Sequence, residues 1–297
     1  MTLYPNCKIN IGLAVVRKRE DGYHDLDTLF YPVYGLHDTL EVEPAEEFRL
    51  EQEGITVDCA AEENLVAKAY RLMERLYPEK VRPVHVKLSK HIPFGAGLGG
   101  GSADATFMAK ALNEIYGLGL SREELAKTVS VLGADCAFFA YNTPCHATGI
   151  GDVLEPVEYH RWDGYRLVMV KPDVHVSTKE AYSGVTPRED YLPGTVPAVV
   201  GKSTHQGLSP IGSPRNDFEE SVFAAHPELG EIKQALVDAG AEYAAMSGSG
   251  STIYGFFPPS VFFTTLQGQS RRVGKSTLLG DSPLQVVQKW IIFDGIV

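Results

Sequence analysis

The stretch that decides the fold prediction for this chain is Pro93-Phe94-Gly95-Ala96-Gly97-Leu98-Gly99-Gly100-Gly101-Ser102-Ala103. It is the densest glycine cluster in the sequence, and it lies between two segments with clear periodicity. Apolar and polar residues alternate over residues 84–89, which predicts a half-buried strand. Apolar residues then recur at helical spacing over residues 107–115, which predicts a helix that begins at Ser102. The sequence therefore predicts a strand, a glycine loop and a helix in succession.

This glycine loop is suited to binding phosphate. Glycines lack a Cβ and let backbone amides approach an anion closely, and the following helix adds unpaired N–H groups and the positive end of its dipole. A glycine run is also typical of a plain flexible loop, but the strand-loop-helix context favours a phosphate cradle. The loop lacks the Lys-Ser/Thr of a Walker motif. It also follows a β-rich start, which is not the order of an ordinary dinucleotide-binding fold.

Length and periodicity predict an α/β (α+β) protein of two domains. The chain has 297 residues, enough for one large or two ordinary domains. Strand patterns dominate the first sixty residues, beginning with residues 7–15, and helical patterns follow at 62–77 and 228–239. We place the domain boundary in a linker near residues 150–165, which gives domains of 1–158 and 159–297.

Charge and composition exclude several classes of protein. The net charge of −11, from 27 basic and 38 acidic residues, argues against a surface that binds nucleic acid or an anionic membrane. No run approaches the length of a membrane span, and residues 1–10 lack the features of a signal peptide, so we expect a cytoplasmic protein with no membrane partner. The cysteines show no metal or disulfide spacing and are expected to be buried free thiols: Cys7, Cys59, Cys136 and Cys145.

Two residues outside the loop could carry chemistry. Lys8 lies on the first predicted strand, where a solvated lysine is the ordinary interpretation. Asp135 follows a helix end and precedes an apolar run, so its carboxylate needs a partner, either as a helix cap or as a base. Phosphoryl transfer requires an orienting carboxylate and a cation, and these two residues would serve if the fold brings them together. Spacing alone does not show that it does.

Two turns complete the pattern. Asp21-Gly22-Tyr23-His24 is a turn that carries an aromatic ring and a hydrogen-bonding imidazole. Residues 246–252 form a Ser-Gly-rich turn before a short apolar strand at 253–257. Each of them, taken alone, is typical of a simple turn.

Together, the lysine-bearing strand, the glycine loop and the late Gly-Ser-Gly turn resemble the GHMP kinase family in order and spacing. Within the family, residues 5–10, 19–24 and 132–135 resemble the members that act on a cytidine diphosphate-linked methylerythritol, and Asp-Gly-Tyr-His is the discriminating segment. The resemblance implies the family's two-domain fold, with the active site in the cleft between the domains. It further implies transfer of the γ-phosphate of ATP to the 2-hydroxyl of the methylerythritol moiety, in the non-mevalonate route to isoprenoid precursors.

The resemblance also implies residue roles. Asp135 would take the hydroxyl proton, and Lys8 would hold the hydroxyl and stabilise charge. Residues 93–103 would wrap the phosphates of ATP, the co-substrate, and Ser102 would contact Mg²⁺ directly or through water. Tyr23 and His24 would contact the cytosine, with Tyr182 as a second stacking ring. The remaining residues assigned to substrate binding are Asn10, Thr178, Gly248, Ser249 and Gly250.

Two alternatives and one irregularity stay open. The chain could be another GHMP kinase, acting on homoserine, mevalonate or a sugar, although this leaves Tyr23-His24 unexplained. It could also be a nucleotide-binding regulator without catalysis, against which the retention of both Lys8 and Asp135 argues. The resemblance ends near Pro259, and the tail 260–297 is atypical apart from a strand candidate at 290–293. Small molecules are the expected partners, bound by a monomer or a homodimer.

Overall fold

The computed structural model describes residues 1–55, 63–188, 215–261 and 291–297. Strands in these ranges are β1 Thr2–Leu3, β2 Asn6–Lys18, β3 His24–His37, β4 Thr39–Pro44, β5 Arg49–Gly54, β6 Val84–Lys90, β7 Cys145–Thr148, β8 Val153–Pro156, β9 Arg166–Val170, β10 Tyr243–Met246, β11 Ile253–Phe257 and β12 Ile291–Ile296. Helices in these ranges are α1 Leu65–Leu76, α2 Gly100–Ile115, α3 Arg122–Val129, α4 Cys136–Tyr141, α5 Thr178–Ser183, α6 Glu219–Ala225 and α7 Pro227–Asp238.

The chain forms two compact units that are discontinuous in sequence. The first consists of residues 1–9, 19–94 and 98–158. The second consists of residues 10–18, 95–97 and the described part of 159–297. The contiguous domains 1–158 and 159–297 stay a prediction.

The first unit is built on two four-stranded sheets, with strand orders β1-β4-β6-β5 and β2-β3-β7-β8. The predicted alternation over 84–89 is confirmed in β6, whose register pairs Leu88 with Leu40 and Val86 with Val42 of the antiparallel β4. These four side chains are buried, because successive residues of a strand point to opposite faces and the apolar face meets the core. Strand β5 pairs with β6 in parallel.

Helix α2 begins at Gly100, two residues before the predicted start at Ser102. Gly99 takes the left-handed conformation, with φ of 70°, and the chain turns there into the helix. A Cβ on Gly100 would come within 2.8 Å of Ile92 Cγ2, so the first helical turn depends on glycine for close packing. The spacing Ser121-x-x-Glu124 predicts a capping box at the start of α3. The structure confirms it, because Ser121 and Glu124 each accept a hydrogen bond from the other's backbone amide.

The second unit contains a sheet of order β10-β11-β9-β12. Apolar runs predict strands at 166–170 and 253–257, and these are the bounds of β9 and β11. The helix predicted at 228–239 is α7, shifted by one residue at each end. Strand β12 pairs antiparallel with β9, so part of the atypical tail forms one edge strand of this sheet. Residue Trp290 of the predicted last strand, and residues 262–289 of the tail, lie outside the described residues.

Candidate active site

Lys8 and Asp135 form an ion pair within the first unit. Lys8 Nζ lies 3.5 Å from Asp135 Oδ2, and the Lys8 side chain is only 5% exposed while that of Asp135 is 28% exposed. Lys8 is therefore not a solvated strand lysine. Asp135 precedes α4 but makes no side-chain capping hydrogen bond, which leaves its carboxylate facing the ammonium group instead of the helix end. The two residue types that phosphoryl transfer requires are thus adjacent.

The neighbourhood of Lys8 fixes its position. Its ammonium group lies 4.6 Å from the centre of the Phe30 ring, a cation–π contact. Its backbone amide donates a hydrogen bond of 3.0 Å to the carbonyl of Leu98. Strand β2 is thereby tied to the glycine loop at the residue that carries the ammonium group.

The end of the glycine loop lies against the same carboxylate. A Cβ built on Gly99 would be 3.3 Å from Asp135 Oδ2 and 3.0 Å from the Phe139 ring, so only glycine leaves this approach open. Gly99 has no side chain with which to cap α2, and the first amides of the helix have no partner within it. This helix terminus can therefore receive an anion close to the Lys8–Asp135 pair.

Ser102 lies in the first turn of α2 and is half-buried. Its hydroxyl forms a hydrogen bond with the thiol of Cys136. Burial raises the pKa of that thiol to about 11, so the sulfur stays protonated near neutral pH. Among the described residues, no group of three His, Cys, Asp or Glu side chains could hold a metal ion. A divalent cation at this helix would need most of its ligands from a bound phosphate.

Beneath the first turn of α2, Lys90 makes buried ion pairs with Asp38 and with Asp104, the latter at 2.7 Å. Burial alone would lower the pKa of Lys90, but the two carboxylates raise it above its ordinary value. Burial raises the pKa of Asp104 well above its usual range, although Lys90 opposes this. Asp38 also accepts hydrogen bonds from the amides of His91 and Ile92. The cluster joins the start of β4, the end of β6 and the start of α2.

The second unit holds the remaining predicted loops. Ser247 Oγ donates a hydrogen bond of 2.8 Å to the Gly97 carbonyl, and the Asn10 amide lies 3.4 Å from the same hydroxyl. A Cβ on Gly97, where φ is +74°, would overlap the Ser247 carbonyl. A Cβ on Gly248 would be 3.4 Å from Asn10 Oδ1. Within this unit, the structure therefore brings together Asn10, residues 95–97 and the Gly-Ser-Gly turn.

The two predicted stacking rings differ in their surroundings. Tyr23 lies in the turn before β3 with 61% of its surface exposed, and its amide donates to Asp21 Oδ1. Tyr182 belongs to α5 and packs edge-on against Phe218, with ring centres 4.8 Å apart. Thr178 begins α5, and its hydroxyl lies 3.5 Å from that of Ser249. The roles assigned to these side chains, and to His24, stay predictions.

Sequence patterns missed the residues that support these loops. Local patterns indicate neither the Lys90 cluster nor Asn216 and Glu219, which hydrogen-bond to the Gly-Ser-Gly turn. Lys90 ends an alternating strand at a position that faces the core, which is a usable signal for a paired lysine. The run Asn216-Asp217-Phe218-Glu219 carries no comparable periodicity.

Two protein-family models match this chain. The model described as GHMP kinases N terminal domain matches residues 64–143, and the model described as GHMP kinases C terminal matches residues 204–261. The chain belongs to the GHMP kinase family, and the predicted fold class is confirmed.

Its similar relatives point to one branch of that family. The 4-diphosphocytidyl-2-C-methyl-D-erythritol kinase of Bacteroides fragilis is 46% identical over 270 residues, which cover 90% of this chain and 95% of the relative. The kinase of the same name from Parabacteroides distasonis is 47% identical, with coverage of 89% and 94%. The resemblance deduced from the motifs is therefore confirmed.

Solved structures give the same result. A crystal structure of 4-(cytidine 5'-diphospho)-2C-methyl-D-erythritol kinase matches with a TM-score of 0.72 and 33% identity, covering 86% of this chain and 89% of that one. The mevalonate kinase of Methanococcus jannaschii matches with a TM-score of 0.60 but 14% identity, with coverage of 88% and 92%, and shows the shared fold alone.

Proposed function

We propose that this chain transfers the γ-phosphate of ATP to the 2-hydroxyl of 4-diphosphocytidyl-2-C-methyl-D-erythritol, giving the 2-phosphate and ADP. It is a kinase that acts on an alcohol group, in the methylerythritol phosphate route to isoprenoid precursors. The observation that carries the proposal is the Lys8–Asp135 pair, 3.5 Å apart next to the glycine-capped helix, in a chain so similar to kinases of this name.

Asp135 and Lys8 have different roles in the transfer. Asp135 accepts the proton of the 2-hydroxyl as the oxygen attacks the γ-phosphorus, so the hydroxyl becomes a better nucleophile. Lys8 donates hydrogen bonds to the hydroxyl oxygen and offsets the negative charge that develops in transfer. The Phe30 ring and the Leu98 carbonyl hold Lys8 in place for this role.

The phosphates of ATP are bound by residues 93–103. The amides at the start of α2 and the positive end of its dipole favour an anion there. Mg²⁺ fits this site as an ion held chiefly by phosphate oxygens, with the Ser102 hydroxyl as the protein's contribution. When bound, it would neutralise phosphate charge during transfer.

The residues assigned to the acceptor offer groups for stacking and for hydrogen bonding. Tyr23 offers an exposed ring for stacking on the cytosine, and His24 offers a hydrogen bond to it. Asn10 and the turn that includes Gly248, Ser249 and Gly250 support the diphosphate, with Thr178 next to Ser249. Tyr182 supplies the second ring that stacks on the cytosine. The cytoplasmic location and the choice between monomer and homodimer stay predictions.

A direct assay tests the function. The protein is incubated with ATP and, in parallel, with the cytidyl substrate, homoserine or mevalonate, and ADP and the phosphorylated product are measured. We expect turnover with the cytidyl compound alone. Turnover of homoserine or mevalonate in its place would assign the chain to another branch of the family, and no turnover with any acceptor would support a regulator without catalysis.

The role of Asp135 has its own test. Asp135→Asn should lower kcat by at least ~10²-fold with little change in ATP affinity, since a proton acceptor acts mainly in the transition state. Asp163→Asn is the matched control, because Asp163 is 61% exposed and its hydrogen bond is to His160, three residues away. An Asp135→Asn enzyme with nearly normal kcat would refute the assignment.

A further inference from the structure

We infer that Asn216 and Glu219 are positioning residues that hold the Gly-Ser-Gly turn, residues 246–251, in the form that binds the diphosphate of the acceptor. The inference rests on the proposed function, since that function gives the turn its ligand. Neither residue is placed in contact with substrate. Both act through the backbone of the turn.

Both N–H groups of the Asn216 side chain donate hydrogen bonds to the turn. Asn216 is 2% exposed, and its Nδ2 donates to the carbonyls of Met246 at 2.8 Å and Gly248 at 2.7 Å. Its Oδ1 accepts from the Phe218 amide at 3.0 Å, which fixes the orientation of the amide group. A flipped amide would put its oxygen against two carbonyl oxygens.

The backbone around Asn216 is held in turn by β2. Leu13 and Asn216 form a parallel bridge, in which the Leu13 amide donates to the Arg215 carbonyl and the Asp217 amide donates to the Leu13 carbonyl, at 3.0 and 2.8 Å. Asn216 therefore reaches the turn from a fixed support.

Glu219 holds the other side of the same residue. Its Oε1 accepts a hydrogen bond of 2.8 Å from the Met246 amide, while its Oε2 lies 2.6 Å from Lys233 Nζ. Burial raises the pKa of Glu219, and Lys233 opposes this by favouring the carboxylate. Asn216 and Glu219 together bind both the carbonyl and the amide of Met246, the first residue of the turn.

This arrangement determines which groups of the turn can meet an anion. In a trans peptide the carbonyl and the N–H point in opposite directions. Because Asn216 takes the Gly248 carbonyl, the Ser249 N–H of the same peptide points away from Asn216. Within the described residues, no hydrogen bond is donated by the amides of Gly248 and Ser249. Successive unpaired amides in a turn with a left-handed glycine form an anion-binding concavity, and φ of Gly248 is +56°.

The test compares Asn216→Ala, Asn216→Ser and Glu219→Gln with Asn113→Ala. Asn113 is the matched control, because its side-chain amide also makes two hydrogen bonds to backbone, with Leu120 at 3.1 and 3.0 Å, far along α2 from the glycine loop. For each protein we would measure KM for the cytidyl acceptor, KM for ATP, kcat, thermal stability, and binding of cytidine 5'-diphosphate by calorimetry.

We expect Asn216→Ala to raise the acceptor KM and the dissociation constant for cytidine 5'-diphosphate by at least ~10-fold, with KM for ATP within about twofold of the original. Asn216→Ser keeps one donor and should lie between, and Glu219→Gln should raise the acceptor KM by less. Asn113→Ala should lower the melting temperature without moving either KM. If Asn216→Ala does not fold, the other two variants carry the test.

The outcomes separate this inference from the proposed function. Equal acceptor KM values and equal diphosphate binding in the Asn216 and Asn113 variants would overturn the positioning role while the activity stands. Absence of kinase activity in the unmodified protein would overturn the proposed function. In that case diphosphate binding decides, and an unmodified protein that binds no cytidine 5'-diphosphate would overturn the inference as well.

Discussion

Replacing Gly97 by alanine tests the close approach of two loops in the second unit. Gly97 has φ of +74°, and an added Cβ would overlap the Ser247 carbonyl and lie 3.3 Å from the Gly250 carbonyl. Gly119→Ala is the matched control, because φ there is +77° and nothing lies within 4 Å of the new Cβ. The pair of variants separates the cost of a left-handed alanine from the cost of a collision.

The expected magnitudes follow from these geometries. A left-handed conformation costs an alanine roughly 1–2 kcal/mol, which is the whole effect expected for Gly119→Ala. At Gly97 the collision is with backbone, and overpacking that shifts backbone adds roughly 1–3 kcal/mol. Gly97→Ala should therefore destabilise the protein by about 2–5 kcal/mol in total. Moving the Ser247 carbonyl also moves the turn proposed to bind the acceptor.

Thermal melting and steady-state kinetics provide the assay. At roughly 2 °C for each kcal/mol, Gly119→Ala should lower the apparent melting temperature by about 2–4 °C and Gly97→Ala by about 4–10 °C. The two changes should also differ in kinetics: Gly119→Ala leaves kcat/KM for the acceptor near its original value, while Gly97→Ala lowers it at least ~10-fold. If Gly97→Ala matched Gly119→Ala in both measurements, the loops would not approach each other as the structure shows, and the reasoning would be refuted.

Three further results are expected. Tyr23→Ala should raise KM for the cytidyl acceptor with little loss of stability, because the ring is exposed, and an unchanged KM would count against stacking. Asp104→Asn keeps an acceptor for Lys90 but removes a carboxyl whose pKa is raised by burial. That carboxyl contributes its full stabilisation below its unfolded pKa, and the stabilisation is lost as pH rises toward its folded pKa. The melting temperature of the variant, relative to that of the original protein, should therefore increase from about pH 4 upward. A difference in melting temperature that does not change with pH would contradict this. Alkylation at pH 8, followed by mass spectrometry of each cysteine peptide, should be slow in the folded protein and fast in urea at three thiols whose pKa values burial raises: Cys7, Cys136 and Cys145. Rapid labelling of these three thiols in the folded protein would contradict their burial.

Local patterns predicted most of the described secondary structure. The alternation in β6, the capping box of α3 and the bounds of β9 and β11 depend on residues close together in sequence, where side-chain period and capping chemistry decide the conformation. The sequence predicts the start of α2 two residues late, because glycine has a poor helix propensity. A Cβ on Gly100 would collide with Ile92, and this tertiary contact, which requires glycine in the first helical turn, is not visible in the local pattern.

The sequence by itself determined the chemistry that this protein has available: a glycine loop before a helix, a strand lysine and a carboxylate after a helix end. These are local features, and residue type and spacing carry them. The tertiary structure decided which of them meet. Lys8 is buried against Asp135, and Asn216 is bound to Met246 and Gly248, because packing brings distant segments together. The energetic cost and the position of a buried polar group depend on its partners. The linear sequence does not show which distant residues those partners are.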